Sequence, residues 1–215
     1  MNKPPRLLSE VEFGAFLVYS PRGQSEMSQR SRQIRDHIKH DKPGFLRTAA
    51  DRLKVELSAV GLEAFLGPQV TLVPAPRSAP LVGKDALWPG HRICEELLKC
   101  GLGKDILPCL SRAKRVAKSA FAAPGERVGA QEHLESMEVE GILLSPAVVT
   151  VVDDFLTKGA TLLAAASLVK DAFPLATVRV FALVRTLGLI PDVERTLDPC
   201  RGRIWLEGSV IRREP

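Results

Sequence analysis

The chain has 215 residues, of which 45% are hydrophobic and 26% are charged, and its formal net charge is +5. This composition is typical of a globular protein, and the modest positive charge suits either a phosphorylated ligand or a nucleic-acid surface without choosing between them. Because only 5% of the residues are aromatic, we do not expect base-stacking platforms for single-stranded nucleic acid. No apolar run reaches membrane-spanning length, which predicts a cytoplasmic protein with no membrane partner.

The cysteines and histidines predict neither disulfides nor a metal centre. The four cysteines, at positions 94, 100, 109 and 200, form no CxxC pair, so we expect reduced and mostly buried thiols. His37 and His40 are close in the sequence but have no neighbouring set of acidic or thiol ligands. A surface helix therefore explains them better than a metal does.

The first third of the chain predicts one strand and two helices. Residues 13–19 predict a strand that ends in a turn at residues 20–23. Residues 25–39 are polar and basic, which favours a helix with a solvated face, although a basic surface for a protein or nucleic-acid partner remains open. Residues 45–60 predict an amphipathic helix.

The middle of the chain predicts the first two strands of a core. Residues 70–73 predict a strand that runs into a proline-rich segment containing Arg77 and Ser78, and a helix is expected from Pro89. Residues 106–110 predict the next strand, and a run of four cations follows it within residues 111–119. The polar and acidic residues 125–140 predict a solvated connection.

Residues 148–161 (VVTVVDDFLTKGAT) are the most informative stretch of the sequence. A short β-branched run predicts a buried strand, and the adjacent carboxylates Asp153 and Asp154 end that run. The loop formed by Thr157, Lys158, Gly159, Ala160 and Thr161 then leads into a helical pattern. The unpaired N–H groups and positive dipole at a helix N-terminus favour a phosphate, and the upstream carboxylates suit the hydroxyls of a sugar. The pattern predicts a cradle for ribose 5-phosphate.

Residues 177–184 predict the last clear core strand, and the tail after residue 191 receives no assignment. The alternation of strands and helices predicts an α/β fold with an open, mostly parallel sheet flanked by helices. We divide the chain into an N-terminal extension over residues 1–66, a core over residues 67–190 and a C-terminal tail over residues 191–215.

The order of strand, acid pair, T-x-G-x-T loop and helix resembles the signature of type I phosphoribosyltransferases, and the segments VPAPRS, SRAKR, VVDDFLTKGAT and VFALVRT together are most similar to the ComF-like branch. The resemblance covers about residues 72–186. It implies that 5-phosphoribosyl 1-diphosphate (PRPP) binds with Mg²⁺, and that residues 1–66 form a helical hood over the active site.

The resemblance also implies a role for each candidate site residue. Asp153 and Asp154 would hold the ribose hydroxyls and orient Mg²⁺ through water, and residues 157–161 would bind the 5-phosphate. Binding of pyrophosphate would fall to the following residues: Arg77, Ser78, Lys114, Arg115 and Lys118.

The sequence departs from the family pattern at several points. ComF-like proteins usually carry an N-terminal module with four cysteines, which this chain lacks in that region. Lys158 replaces a small hydroxyl residue, and Thr157 stands where purine-salvage enzymes carry a third acid. The second difference argues against a hypoxanthine-type mechanism and leaves the acceptor unidentified.

Three hypotheses therefore remain open from the sequence. The chain is an active phosphoribosyltransferase, a module that senses PRPP or a nucleotide without transfer, or a component of a nucleic-acid-linked assembly for DNA uptake or phage defence that uses its basic segments. The sequence also leaves a homo-oligomer open.

Overall fold

A computed structural model describes residues 5–40, 42, 44–80, 87–116, 129–140, 145–188 and 192–215. Within these residues the protein is an α/β structure whose main sheet has seven strands in the order β3-β2-β6-β7-β1-β8-β9. The strands of this sheet are β1 (Glu10–Tyr19), β2 (Thr71–Pro74), β3 (Asp105–Ile106), β6 (Val148–Leu156), β7 (Thr177–Thr186), β8 (Leu197–Glu207) and β9 (Val210–Glu214). The five strands from β3 to β1 are parallel, and β8 and β9 are antiparallel. This confirms the predicted mostly parallel α/β sheet.

Helices cover both faces of the sheet. The helices are α1 (Glu26–Lys39), α2 (Phe45–Glu56), α3 (Glu63–Leu66), α4 (Pro89–Lys99), α5 (Ala130–Glu135) and α6 (Ala160–Ala172). One apolar cluster joins the sheet to α1, α2 and α4, and a second joins the opposite face to α5 and α6. Every residue from Leu162 to Val169 of α6 is buried, so this helix is enclosed on all sides.

The strand predicted over residues 13–19 is present and lies inside the main sheet. β1 pairs in parallel with β7 on one side and antiparallel with β8 on the other. The segment assigned to an N-terminal extension thus supplies a central strand of the sheet, and the tail over residues 191–215 supplies β8 and β9. The sheet does not break at residue 66 or at residue 191, since both terminal segments complete it by hydrogen bonding.

The strand predicted over residues 106–110 is wrong as a single element. β3 ends at Ile106, and the chain then enters a separate two-stranded antiparallel sheet of β4 (Leu110–Arg112) and β5 (Met137–Val139). Residues 125–140 also differ from the solvated connection predicted for them, because the described part, residues 129–140, contains α5 and four buried residues from His133 to Met137. Leu134 and Met137 belong to the apolar cluster that includes α6.

The structure also describes the state of the four cysteines and the character of the helices. All four cysteines are free, and three of them are buried. Among the helices that the structure describes, none combines the length and the apolar character that crossing a bilayer requires.

Candidate active site

The topology places the candidate site at a switch point of the sheet. The chain leaves β2 toward β3 on one side, whereas it leaves β6 toward β7 on the other, and α4 and α6 consequently lie on opposite faces. β2 and β6 are adjacent and parallel. In open α/β sheets, ligands bind outside the carboxyl ends of the strands at such a point. Arg77 follows β2 and the acid pair lies near the end of β6, so both flank the switch point.

The acid pair is built into the end of strand β6. Strand pairing continues through Asp153 to Leu156, so the strand extends beyond its predicted end at the carboxylates. Asp153 Oδ1 accepts a 2.9 Å hydrogen bond from the Asp154 backbone N–H, and Asp154 Oδ1 accepts one of 2.9 Å from the Phe155 N–H. Both aspartates are half-buried. Their carboxyl groups are therefore held in place by the strand that carries them.

The surroundings raise the pKa of both aspartates. Burial, the charge of Asp154 and a hydrogen bond with its carboxyl group raise the pKa of Asp153 well above the ordinary value. Burial also raises the pKa of Asp154, although the hydrogen bond with Asp153 opposes that rise. The charges of Arg112 near Asp153 and Lys39 near Asp154 favour the ionised forms. A bound cation would likewise favour the ionised forms.

The loop after β6 has the geometry of an anion cradle. We call residues 157–161 the β6 loop. Gly159 is the N-cap of α6, with a φ of 97° in the left-handed region. Within the described residues, no side chain caps this N-terminus and no acidic residue lies in the first turn, so its N–H groups and dipole are available to an anion.

The side chains of the β6 loop divide between the interior and the solvent. Thr157 is half-buried, with its Oγ1 3.4 Å from Thr186 Oγ1, and Lys158 is exposed. Ala160 and Thr161 are half-buried in the first turn of α6. A Cβ on the buried Gly159 would lie only 2.7 Å from Ile204 Cδ1, so close packing as well as the positive φ requires glycine here.

The segment after β2 meets the basic segment that follows β4. We call residues 75–78 the β2 loop; its Arg77 and Ser78 are half-buried. The Arg77 carbonyl accepts a 2.8 Å hydrogen bond from Arg112 Nε, and the Ser78 carbonyl accepts one of 2.9 Å from the Val116 N–H. The structure thus brings together the two segments in which pyrophosphate contacts were predicted.

Two of the predicted cations lie between Ala113 and Val116, whose backbone N–H groups are both hydrogen-bonded. Lys114 and Arg115 are exposed, and the backbone before and after them is fixed by Ser136 and Ser78. Lys118 lies outside the described residues. The two described cations are accordingly free to orient toward an anion beside the β2 loop, on a backbone that is held.

Helix α4 closes the site on the other side of the β2 loop. Trp88 Nε1 donates a 2.7 Å hydrogen bond to the Ala75 carbonyl. A Cβ on Gly90 would lie 3.0 Å from the Val152 carbonyl and 3.2 Å from that of Ala75. Glycine in the first turn lets α4 approach the ends of β2 and β6 closely.

Sequence reasoning missed a buried polar cluster next to the acid pair. Arg112 is 5% exposed and His133 is 3% exposed. Arg112 belongs to the basic run, and the charged residues that follow it form no apolar pattern that would predict its burial. For His133 the signal was the apolar pair Leu134 and Met137, which indicates that one side of this polar segment is buried.

The comparisons with known proteins add no family. No protein-family model matches the chain, and a search of curated proteins finds no match either. Among the described residues, no group of three or more His, Cys, Asp or Glu side chains could hold a metal by itself. The two carboxylates remain compatible with Mg²⁺, which keeps several waters and typically takes one or two carboxylates together with phosphates of the substrate.

Proposed function

We propose that the protein binds PRPP with Mg²⁺ and transfers its phosphoribosyl group to an acceptor, releasing pyrophosphate. The observation that carries this proposal is the acid pair on β6, followed directly by an uncapped helix N-terminus with Gly159 in the left-handed region. The switch point beside it, where the β2 loop meets a basic segment, supports the same proposal.

Each group of site residues would bind a different part of PRPP. The β6 loop would anchor the 5-phosphate, and the acid pair would hold the ribose hydroxyls. Departure of pyrophosphate leaves positive charge on C1 of the ribose, as in glycoside cleavage. Arg77, Lys114 and Arg115 would stabilise the departing anion. Mg²⁺, oriented by Asp153 and Asp154 through water, would neutralise part of the pyrophosphate charge.

A second candidate function is PRPP sensing without transfer. The observation that favours it is Thr157, where a third acid would supply a general base; its hydroxyl instead lies 3.4 Å from that of Thr186. A hydroxyl in this position binds but does not accept a proton at neutral pH. Under this alternative PRPP binds and no pyrophosphate is released.

Calorimetric titration of PRPP and Mg²⁺ into the wild type and into the double variant Asp153→Asn/Asp154→Asn tests both functions. We expect binding to the wild type and none to the double variant. Asparagine removes the repulsion and the charge burial of the pair, so the variant should remain folded. Asp171→Asn, at an exposed position on α6, is the matched control and should bind normally.

A pyrophosphate-release assay with a panel of nucleobases and amines then separates enzyme from sensor. Release by the wild type supports transfer, and binding without release supports sensing. A wild type that binds no PRPP would refute both.

We further propose a cytoplasmic location, which the four free cysteines support, since thiols stay reduced there.

A further inference from the structure

The buried polar cluster links the two loops that flank the switch point. Arg112 Nε donates to the carbonyl of Arg77 in the β2 loop at 2.8 Å. On the other side, His133 Nε2 lies 3.4 Å from Thr161 Oγ1 in the β6 loop. Between them, Arg112 Nη1 is 3.4 Å from His133 Nδ1. These contacts form a continuous path between Arg77 in the β2 loop and Thr161 in the β6 loop, which are far apart in the chain.

Arg112 is an unusual residue to bury, because the acceptors of its hydrogen bonds carry no charge. Besides the Arg77 carbonyl, Nη1 donates to Ser136 Oγ at 2.6 Å and lies 3.5 Å from the His133 carbonyl. Burial lowers the pKa of Arg112 to about 10, and the charge of Asp153 opposes that fall. Burying an arginine on neutral acceptors is costly, whereas its hydrogen bonds tie together segments that apolar packing alone would not orient.

His133 is held from both sides by the same cluster. Ser136 Oγ donates a 2.9 Å hydrogen bond to the His133 carbonyl, which fixes the end of α5. The ring is 3% exposed, so it is sequestered from solvent and cannot itself contact a ligand at the surface. Its position suits a residue that acts through Thr161.

We propose that Arg112 and His133 are positioning residues that hold the β2 loop and the β6 loop in one fixed relation, so that a pyrophosphate group and a 5-phosphate group are gripped at the spacing of a single PRPP molecule. The assignment of ligands to the two loops rests on the function proposed above. The fixed relation between the loops rests on the contacts alone.

Binding of each half of PRPP, measured separately, tests the proposal. Inorganic pyrophosphate and ribose 5-phosphate, each with Mg²⁺, are titrated into the wild type, Arg112→Lys and His133→Leu. Lysine keeps the charge but lacks the planar fork with which Arg112 reaches the Arg77 carbonyl and Ser136 Oγ together. We expect Arg112→Lys to lower the affinity for ribose 5-phosphate at least about 5-fold. His133→Leu should lower the affinity for pyrophosphate by a similar factor, since coupling between sites is typically of this order or larger.

Matched variants separate positioning from general loss of stability. Ser167→Ala removes a buried hydroxyl of α6 that bonds Leu8 N–H and the Leu163 carbonyl, and it should leave both affinities unchanged. His133→Gln retains a polar group toward Thr161 and should restore part of the pyrophosphate affinity that His133→Leu loses. The proposal is wrong if Arg112→Lys lowers only the affinity for pyrophosphate and His133→Leu only the affinity for ribose 5-phosphate. It is also wrong if Ser167→Ala lowers both affinities.

Hydrogen exchange of the ligand-free protein keeps this inference separate from the proposed function. Arg112→Lys and His133→Leu should each raise amide exchange in both loops, whereas Ser167→Ala should not. If the wild type binds neither ligand, the proposed function fails while the exchange result still decides the positioning role. A rise confined to the nearer loop would overturn it.

Discussion

Gly159 carries two independent constraints at the start of α6. Its φ of 97° lies in the left-handed region, and a Cβ would meet Ile204 at 2.7–3.0 Å. The first constraint is one of backbone conformation and the second is one of packing. Both bear on the β6 loop, because this residue sets the direction of the first N–H groups of the helix.

We expect Gly159→Ala to lower the free energy of unfolding by about 3 kcal/mol, from left-handed strain of about 1–2 kcal/mol together with overpacking of about 1–3 kcal/mol. Urea denaturation measures the change. Gly129→Ala is the control, since its φ is −75° and, among the described residues other than its chain neighbours, no atom lies within 4 Å of the new Cβ. In an Ile204→Ala background the cost of Gly159→Ala should fall; an unchanged cost would exclude the packing constraint.

His133 predicts a specific pH dependence of stability. Burial, and secondly the charge of Arg112, lower its pKa from 6.5 to about 4. Below pH 6.5 His133 is protonated in the unfolded chain but stays neutral in the folded protein down to about pH 4. The free energy of unfolding therefore falls as the pH falls through this window. The full effect is about 3 kcal/mol.

The measurement is urea denaturation of the wild type and of His133→Gln at several values between pH 7 and pH 4. The acid pair contributes the opposite slope, because its pKa values are raised in the folded state, and the comparison with the variant removes that contribution. We expect the stability advantage of the wild type to shrink by about 3 kcal/mol across the window. Parallel curves would mean that His133 is not buried in its neutral form.

At the scale of elements, the β8–β9 hairpin is hydrogen-bonded to the carboxyl ends of β6 and β7, where the candidate site lies. Arg213 Nη1 and Nη2 donate 3.0 Å hydrogen bonds to the carbonyls of Leu156 and Thr186, which end β6 and β7. Burial, followed by the charge of Arg185, lowers the pKa of Arg213. The hairpin also supplies Ile204 against Gly159. The C-terminal hairpin thus packs against the β6 loop and stabilises its position.

Arg213→Met should lower the free energy of unfolding by about 2 kcal/mol, because it leaves two carbonyl groups without their donor. Arg212→Met is a matched control on the adjacent residue: Arg212 is exposed and pairs with Glu207 at 2.8 Å, and an exposed pair contributes about 0–1 kcal/mol. Thermal or urea denaturation of both variants gives the comparison. Equal losses would contradict a fastening role for Arg213.

At the scale of the whole molecule, the sheet joins both ends of the chain to its middle. β1 lies between β7 and β8, and the core clusters on its two faces include residues of α1 and α2 as well as of α5 and α6. Removal of residues 1–66 would open the centre of the sheet and expose both clusters. The described parts of the chain should therefore unfold as one cooperative unit.

The two tryptophans test this directly, since Trp88 precedes α4 and Trp205 lies in β8. The single-tryptophan variants Trp205→Phe and Trp88→Phe report on the two ends of the sheet by fluorescence. We expect their urea transitions to coincide once each is corrected for its own stability by circular dichroism. Transitions that separate within one variant, between fluorescence and circular dichroism, would indicate an independently folding segment.

The sequence alone determined those features that depend on neighbouring residues. The strand, acid pair, loop and helix over residues 148–161 were predictable, because apolar periodicity and a glycine at a helix start are local signals. The same holds for α2 and for the start of α4 at Pro89. The mostly parallel α/β class follows from the alternation of such elements.

Only the tertiary structure decided which strands are neighbours and which polar side chains are buried. Periodicity identifies the buried face of β1 but not its partner, and the place of β1 between β7 and β8 depends on hydrogen bonds to residues more than 150 positions away. Arg112 and His133 are charged or polar in sequence, and they are buried because distant segments supply acceptors and apolar cover. Such acceptors come from the folded arrangement, so no local pattern announces them.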